Sequence, residues 1–249
     1  MKGLYNESNI MNPLYRRINY RNFKKDVYPS RDVVTNIVQD AITLSPFKGS
    51  IKYLDIDVWG TEHSKIKSDF VLNTGLVHSG NKRFENKELD DEQWDIKMKE
   101  EYDKHPHKFN TQVEAPYLLA FTEDKIGHAH RVSFRPDKNV YMRWGMFMYS
   151  VVLCANSHGV DASYCSCFNM KITSKSNKLC SDYKKNGRDI LSFIGLGYYD
   201  FDTEEDNWKR VDDNHIEHNF GGTYDIKNRK RDGCKSKKPT IDSMLRWRE

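Results

Sequence analysis

Tyr141-Met142-Arg143-Trp144-Gly145-Met146-Phe147-Met148-Tyr149-Ser150-Val151-Val152-Leu153-Cys154-Ala155-Asn156-Ser157-His158 is the stretch whose reading decides the fold. Its apolar residues, Met142, Trp144, Met146, Phe147, Met148, Val151, Val152, Leu153, Cys154 and Ala155, surround a helical wheel on all faces. Gly159 follows, placed to stop the helix at its C-terminus. A helix apolar all round must be covered all round. It is therefore expected at the centre of the fold, and a subunit interface is one way to cover it.

Downstream of this helix, Ser163 to Met170 and Leu191 to Tyr198 are predicted strands. Upstream, Ala115-Pro116-Tyr117-Leu118-Leu119-Ala120-Phe121-Thr122 is a short apolar run bounded by turn residues, as a central strand would be. Tyr53-Leu54-Asp55-Ile56-Asp57-Val58-Trp59 alternates strictly, with Leu54, Ile56 and Val58 to one side and two aspartates to the other, which predicts a half-buried strand. From Ser30 to Ile42 apolar residues recur at 33, 34, 37, 38, 41 and 42, one helical face, with Ser30 or Asp32 able to cap it and Pro46 to end it. Residues 60–113 are polar and weakly periodic, and read as short surface helices and loops in a variable excursion over the core. Helices and strands interleave, no repeat is present, and no Pro/Gly/Ser-rich linker divides the chain. The expectation is one α+β domain over residues 1–249.

Composition bounds the partners. The chain has 249 residues, and 40 Lys+Arg against 36 Asp+Glu leave a net charge of +4. Mean hydropathy is low, at −0.83. Aromatic residues nevertheless reach 12%, which argues for a packed core under a charged surface rather than a disordered chain. No stretch has the apolar length of a membrane span, and Met1-Lys2-Gly3-Leu4-Tyr5-Asn6-Glu7-Ser8 has no apolar core of the kind a secretory signal requires. Five cysteines (Cys154, Cys165, Cys167, Cys180, Cys234) without CxxC spacing read as reduced thiols in a cytoplasm. Balanced charge argues against a protein devoted to nucleic acid.

Two basic clusters are candidates for an anion site. Arg16-Arg17-Ile18-Asn19-Tyr20-Arg21-Asn22-Phe23 concentrates three guanidiniums, whose planar forks suit phosphate oxygens, with Asn19 as a neutral donor between them. Near the C-terminus stand Arg229-Lys230-Arg231, Lys235, Lys237 and Lys238. Either cluster alone is the kind of run that a solvated surface carries.

Taken in order, these pieces resemble the nitroreductase family of FMN-dependent NAD(P)H oxidoreductases. The matching segments are Arg17-Ile18-Asn19-Tyr20-Arg21-Asn22-Phe23, the helix from Ser30, Ser45-Pro46-Phe47-Lys48-Gly49-Ser50, and the strand to Trp59. They continue with Ala115-Pro116, the helix 141–158, Gly159 to Phe168, Gly195-Leu196-Gly197-Tyr198, and Lys237-Lys238-Pro239 leading to Trp247. The resemblance implies a central, mostly antiparallel sheet flanked by helices, and a homodimer joined through the long buried helix with FMN at its interface. It implies that Arg17, Asn19 and Arg21 contact the ribityl chain and phosphate, joined there by Lys235 and Lys237. Phe47, Lys48, Gly49 and Ser50 fall on the turn that touches the isoalloxazine from the partner chain, and Cys165 and Ser166 on a loop whose backbone approaches flavin N5. Ile18 and Ser50-Ile51-Lys52-Tyr53-Leu54 depart from the family's motifs.

The function the resemblance implies is a ping-pong transfer of a hydride from NAD(P)H, through flavin N5, to a nitroaromatic, a quinone or a similar acceptor. No side chain need be a general acid or nucleophile. A cation near flavin N1 and O2, with Arg21 or Lys48 as candidates by position, would stabilise the reduced ring. The alternative is a non-catalytic flavin-binding or interaction protein that keeps the fold, which the departures motivate.

Other clusters favour blander readings. His105-Pro106-His107, His128-Ala129-His130 and His215-Ile216-Glu217-His218 match no zinc spacing and read as surface histidines, so no metal is expected. Cys165-Ser166-Cys167 has too short a spacer for an unstrained disulfide. The basic run Arg229 to Lys238 could be a nucleic-acid patch, but the docking pattern of Pro239, Ile241, Met244, Leu245 and Trp247 behind it fits the family's tail instead.

Overall fold

The structure is a computed structural model that describes residues 21–45, 54–74, 89–104, 106, 109–124, 138–166, 178–200, 223–225 and 230–232. By internal contacts the chain divides into two units, Met1–Asp200 and Phe201–Glu249. In the second unit, β5 (Thr223–Asp225) and β6 (Lys230–Asp232) form an antiparallel pair with Tyr224 opposite Arg231.

The first unit is built on a four-stranded sheet of β1 (Leu54–Trp59), β2 (Tyr117–Asp124), β3 (Asp161–Cys165) and β4 (Arg188–Gly197). Its order is β1-β2-β4-β3, and every neighbouring pair is antiparallel. The expected antiparallel α+β architecture is therefore present.

Helices cover both faces. On one, α1 (Arg31–Leu44) and the long α4 (Lys138–Ser157) bury Val34, Ile37, Trp144, Phe147 and Val151 against Leu119, Phe121, Ile194 and Leu196. On the other, Phe70 and Val71 of α2 (Ser64–Thr74) and Trp94 and Met98 of α3 (Asp91–Lys104) pack with Leu118, Ala120 and Phe193. Cys180 of α5 (Lys178–Lys185) joins this second core. β2 thus sends Leu119 and Phe121 one way and Leu118 and Ala120 the other, which is why its sequence is an unbroken apolar run.

Within the segment 60–113, read as a surface excursion, α2 and α3 differ from that reading, because they supply the helical layer of the second core. The polar composition hides this. Trp94 and Met98, four apart on α3, are both buried, so two large side chains per helix do the packing that periodicity over many residues would normally announce.

Local chemistry explains the element ends. The Ser30 hydroxyl accepts from the Val33 N–H and caps α1. α4 ends in a Schellman turn: Val160 N–H bonds the Ala155 carbonyl at 2.9 Å, Gly159 N–H bonds that of Asn156 at 3.1 Å, and Gly159 takes φ 72°. β3 and β4 begin earlier than their predicted starts at Ser163 and Leu191, because Asp161 pairs opposite Gly197 and Arg188 opposite Asp124. On edge strand β1 the expected alternation is incomplete. Leu54 is buried, but Val58 is 46% exposed, on the strand that edges the sheet among the described residues.

α4 is buried almost all round from Val151 to Asn156, where Leu153 alone is half-buried, but on one side only in its preceding turns. Met142 is 59% exposed and Met146 49%, with Tyr149 exposed one turn further along. Among the described residues no helix is long and apolar enough to cross a membrane.

Candidate functional site

Arg21, Cys165 and Ser166 are the sequence-predicted cofactor residues within the described part of the chain. Arg17, Asn19, Phe47, Lys48, Gly49, Ser50, Lys235 and Lys237 lie outside the described residues, as do Cys167 and the histidine pairs at 105 and 107, 128 and 130, and 215 and 218.

Arg21 precedes a short stretch that continues the sheet. Phe23 bridges Tyr199, Lys24 N–H bonds the Tyr198 carbonyl at 2.8 Å, and Asp200 N–H bonds the Asn22 carbonyl at 3.1 Å. Tyr199 N–H in turn donates to Asp161 Oδ2 at 2.8 Å, which ties this stretch to the start of β3. The Arg21 guanidinium reaches across and donates through Nη1 to the Phe109 carbonyl at 3.2 Å.

Phe109 opens the segment that leads into β2. After it Asn110 is followed by a 3-10 turn, Thr111–Glu114, in which Val113 N–H bonds the Asn110 carbonyl at 3.0 Å. Three successive polar side chains here are buried: Asn110, Thr111 at 4% exposure and Gln112 at 2%. Thr111 Oγ1 and Gln112 Oε1 have no hydrogen-bond partner. A buried acceptor left unmade costs about 1–3 kcal/mol, so two adjacent ones mark a place where a donor from elsewhere is expected.

The turn is held from behind. Lys67, only 2% exposed, donates from Nζ to the carbonyls of Ala115 at 2.6 Å and Pro116 at 3.1 Å. Burial pulls its amine down to about 8, against the upward pull of Glu62 and Glu114. Ser68 and Tyr102 each donate to a different oxygen of Glu114, both at 2.8 Å. Burial, then the Glu114 charge, raises the Tyr102 phenol well above its ordinary range, so it stays a donor.

Cys165 is the last residue of β3, opposite Phe193, and its side chain belongs to the core that also holds Phe109 and Val113. Ser166 follows it, exposed. The turn Thr111–Glu114 touches both β3 and β4. Asp161, on the Arg21 side, and Cys165 are four residues apart on β3, about 13 Å along an extended strand. Arg21 and the pair Cys165 and Ser166 therefore belong to opposite ends of β3, with the 109–114 segment in contact with both neighbourhoods.

Thr111, Gln112 and Lys67 had no signal in the sequence beyond their position before the Ala115-Pro116 strand. Polar residues ahead of an apolar run read as an exposed loop, and their burial is decided by distant chain.

Two clefts elsewhere are less suited to chemistry. One of about 460 Å³ is lined by Trp59, His63, Asp182, Tyr183 and Arg188. Most of its polar groups are paired: Arg188 bonds Asp55 at 3.0 Å, Asp57 at 3.1 Å and Thr122 at 2.6 Å, and Tyr183 donates to Asp57 at 2.5 Å, while His63 Nδ1 and Arg188 Nε are buried without a hydrogen-bond partner. The other, about 380 Å³ between α1 and β1, is mainly apolar, with Val34, Val38, Ile42, Ile56 and Val58. Among the described residues no group of three His, Cys, Asp or Glu side chains could hold a metal ion.

No protein-family model and no curated protein matches the sequence. Solved structures do match the fold. The FMN and NADPH-dependent nitroreductase NfnB from Sphigopyxis sp. strain HMH is 16% identical, with a TM-score of 0.56 over 96% of this chain and 99% of that one. The FMN-dependent nitroreductase NfnB from Mycobacterium smegmatis, solved in complex with NADPH, is 10% identical with a TM-score of 0.55 over 98% and 99%. A nitroreductase-like family protein from Bacillus cereus is 17% identical with a TM-score of 0.51 over 80% and 89%. With its antiparallel sheet, its long central helix and these neighbours, the chain has the nitroreductase fold.

Proposed function

We propose that this chain is an FMN-dependent oxidoreductase that passes a hydride from NAD(P)H to a nitroaromatic, quinone or similar small acceptor. The observation that carries the reading is the shared fold with two structures named as FMN-dependent nitroreductases, which extends over nearly the whole of each chain. The site fits such a cofactor. Thr111 Oγ1 and Gln112 Oε1 are buried acceptors without donors. A flavin offers donors of the right kind in its ring N3–H and ribityl hydroxyls.

FMN, when bound, supplies the redox chemistry, a ring that accepts a hydride and passes it on; the protein supplies position and charge. In this reading Arg17, Asn19, Arg21, Lys235 and Lys237 are the contacts to the phosphate and ribityl chain. Phe47, Lys48, Gly49 and Ser50 border the ring from the partner chain, and the backbone of Cys165 and Ser166 lies along its edge. Thr111 and Gln112 hold its polar rim. The subunits pair through α4, whose exposed Met142, Met146 and Tyr149 form an apolar stripe that water covers poorly. The enzyme works in the cytoplasm.

The test is spectroscopic. Purified protein should carry or take up FMN, lose its blue absorbance on anaerobic addition of NADH or NADPH, and regain it when a nitroaromatic or quinone is added. Failure to bind FMN refutes the proposal. Binding without reduction would leave the non-catalytic alternative.

A further inference from the structure

Polar contacts from two helices converge on one short turn that belongs to neither. Lys67 and Ser68, neighbours on α2, grip opposite ends of the Glu114-Ala115-Pro116 step, and Tyr102 of α3 takes the second carboxylate oxygen of Glu114. From the opposite side Gly195 of β4 lets the turn sit down on the sheet. A Cβ there would stand 2.4 Å from the Gln112 carbonyl oxygen and 2.7 Å from Ala115 Cβ. A 3-10 turn of four residues has little stability of its own. It nevertheless keeps Thr111 and Gln112 buried with acceptors unmade, which a free loop would relieve by turning them to water.

We infer that Glu114 is a positioning residue, which with Lys67, Ser68 and Tyr102 clamps the 110–114 turn so that Thr111 and Gln112 are held ready for the cofactor. The inference rests on the proposed function for the identity of that cofactor, and on geometry alone for the clamp. Both hydroxyls donate to a carboxylate, the strongest arrangement open to neutral donors. Preorganisation of this kind raises affinity by removing the ordering that binding would otherwise have to supply.

The experiment compares Glu114→Ala with Glu114→Gln in the full-length chain. The amide of Gln can still accept from Tyr102 and donate to the Ser68 oxygen, so it keeps the contacts without the charge. Two quantities are read: the FMN dissociation constant from flavin fluorescence quenching, and hydrogen exchange at the Val113 and Ala115 amides, which bond the carbonyls of Asn110 and Gln112. Val34→Ala, in the other core, serves as a control that lowers stability without touching the turn. Glu114→Ala should weaken FMN binding and speed both exchanges by about tenfold or more, the scale of one charge-assisted hydrogen bond. Glu114→Gln should stay within about threefold of wild type on both, and Val34→Ala should leave FMN binding unchanged. Wild-type affinity and protection in Glu114→Ala would overturn the inference, and so would an equal loss of affinity in Val34→Ala. If wild-type protein takes up no FMN, the proposed function falls, and the exchange rates alone decide whether the clamp exists.

Discussion

Lys67 gives the most exposed quantitative consequence of this packing. Its ammonium is buried against two carbonyls, and its pKa falls from the ordinary 10.5 to about 8. At 1.36 kcal/mol per pH unit, the folded state gives up about 3 kcal/mol at neutral pH to keep that charge inside. Between pH 8 and 10.5 the unfolded chain binds the proton and the folded chain does not. The contribution to stability therefore rises with pH across that window, by about 1.4 kcal/mol per unit, and is level on either side. A neutral amine still has two hydrogens, one for each carbonyl, so the contacts survive deprotonation. Replacing Lys67 with Met removes the titration and leaves the Ala115 and Pro116 carbonyls unmade, a cost of about 1–3 kcal/mol each that the relieved charge largely offsets at neutral pH. The stabilities of wild type and Lys67→Met should thus lie close at pH 7, and wild type should pull ahead by about 3 kcal/mol by pH 10.5. Urea unfolding followed by tryptophan fluorescence at pH 7, 8, 9 and 10 reads the gap directly, because other titrating groups act on both proteins alike. Midpoints that run parallel across the series would refute the burial of a charged Lys67.

Gly195→Ala should destabilise the fold by about 1–3 kcal/mol, because the new methyl must displace a backbone oxygen rather than a flexible side chain; thermal melts give the loss, and an unchanged melting temperature would contradict the close approach at Gln112. Met146→Glu puts a charge in the middle of the exposed α4 stripe, so light scattering should show a dimeric wild type turned monomeric, and an undisturbed dimer would exclude α4 as the interface. Ser30→Ala removes the hydroxyl that caps α1 and should cost about 1 kcal/mol in chemical denaturation, whereas Ser30→Asp should cost little.

What could be read in advance follows from where the information sits. β2 and β4 are covered on both faces, so their burial is written into consecutive residues such as Leu118-Leu119-Ala120-Phe121. α1 and α4 carry their own stop and start chemistry in Ser30 and Gly159. β1 was legible as a strand, but as an edge it leaves Val58 open, and its two aspartates serve Arg188 from 131 to 133 residues away, a pairing no local pattern contains. α2 and α3 look like surface because their packing rests on a few large side chains among many charges.

At the site the division is sharper. A guanidinium cluster announces an anion site through charge alone, which is why Arg21 stood out among its neighbours. Thr111 and Gln112 are ordinary loop residues until Lys67 and Glu114 fix the turn beneath them, and those two look like solvated charges until they are seen buried or bonded from α2 and α3. A residue's chemistry can be read from its type, whereas its availability for chemistry depends on what holds it. In this fold that hold crosses 46 to 49 residues of chain, from Ser68 to Glu114 and from Lys67 to Pro116. Swapping the partners should therefore test the site more severely than changing the contact residues: a Ser68→Ala, Tyr102→Phe double variant leaves Thr111, Gln112 and every predicted flavin contact in place. It should still lose FMN affinity about as far as Glu114→Ala does, and wild-type binding in the double variant would show that the turn stands without its clamp.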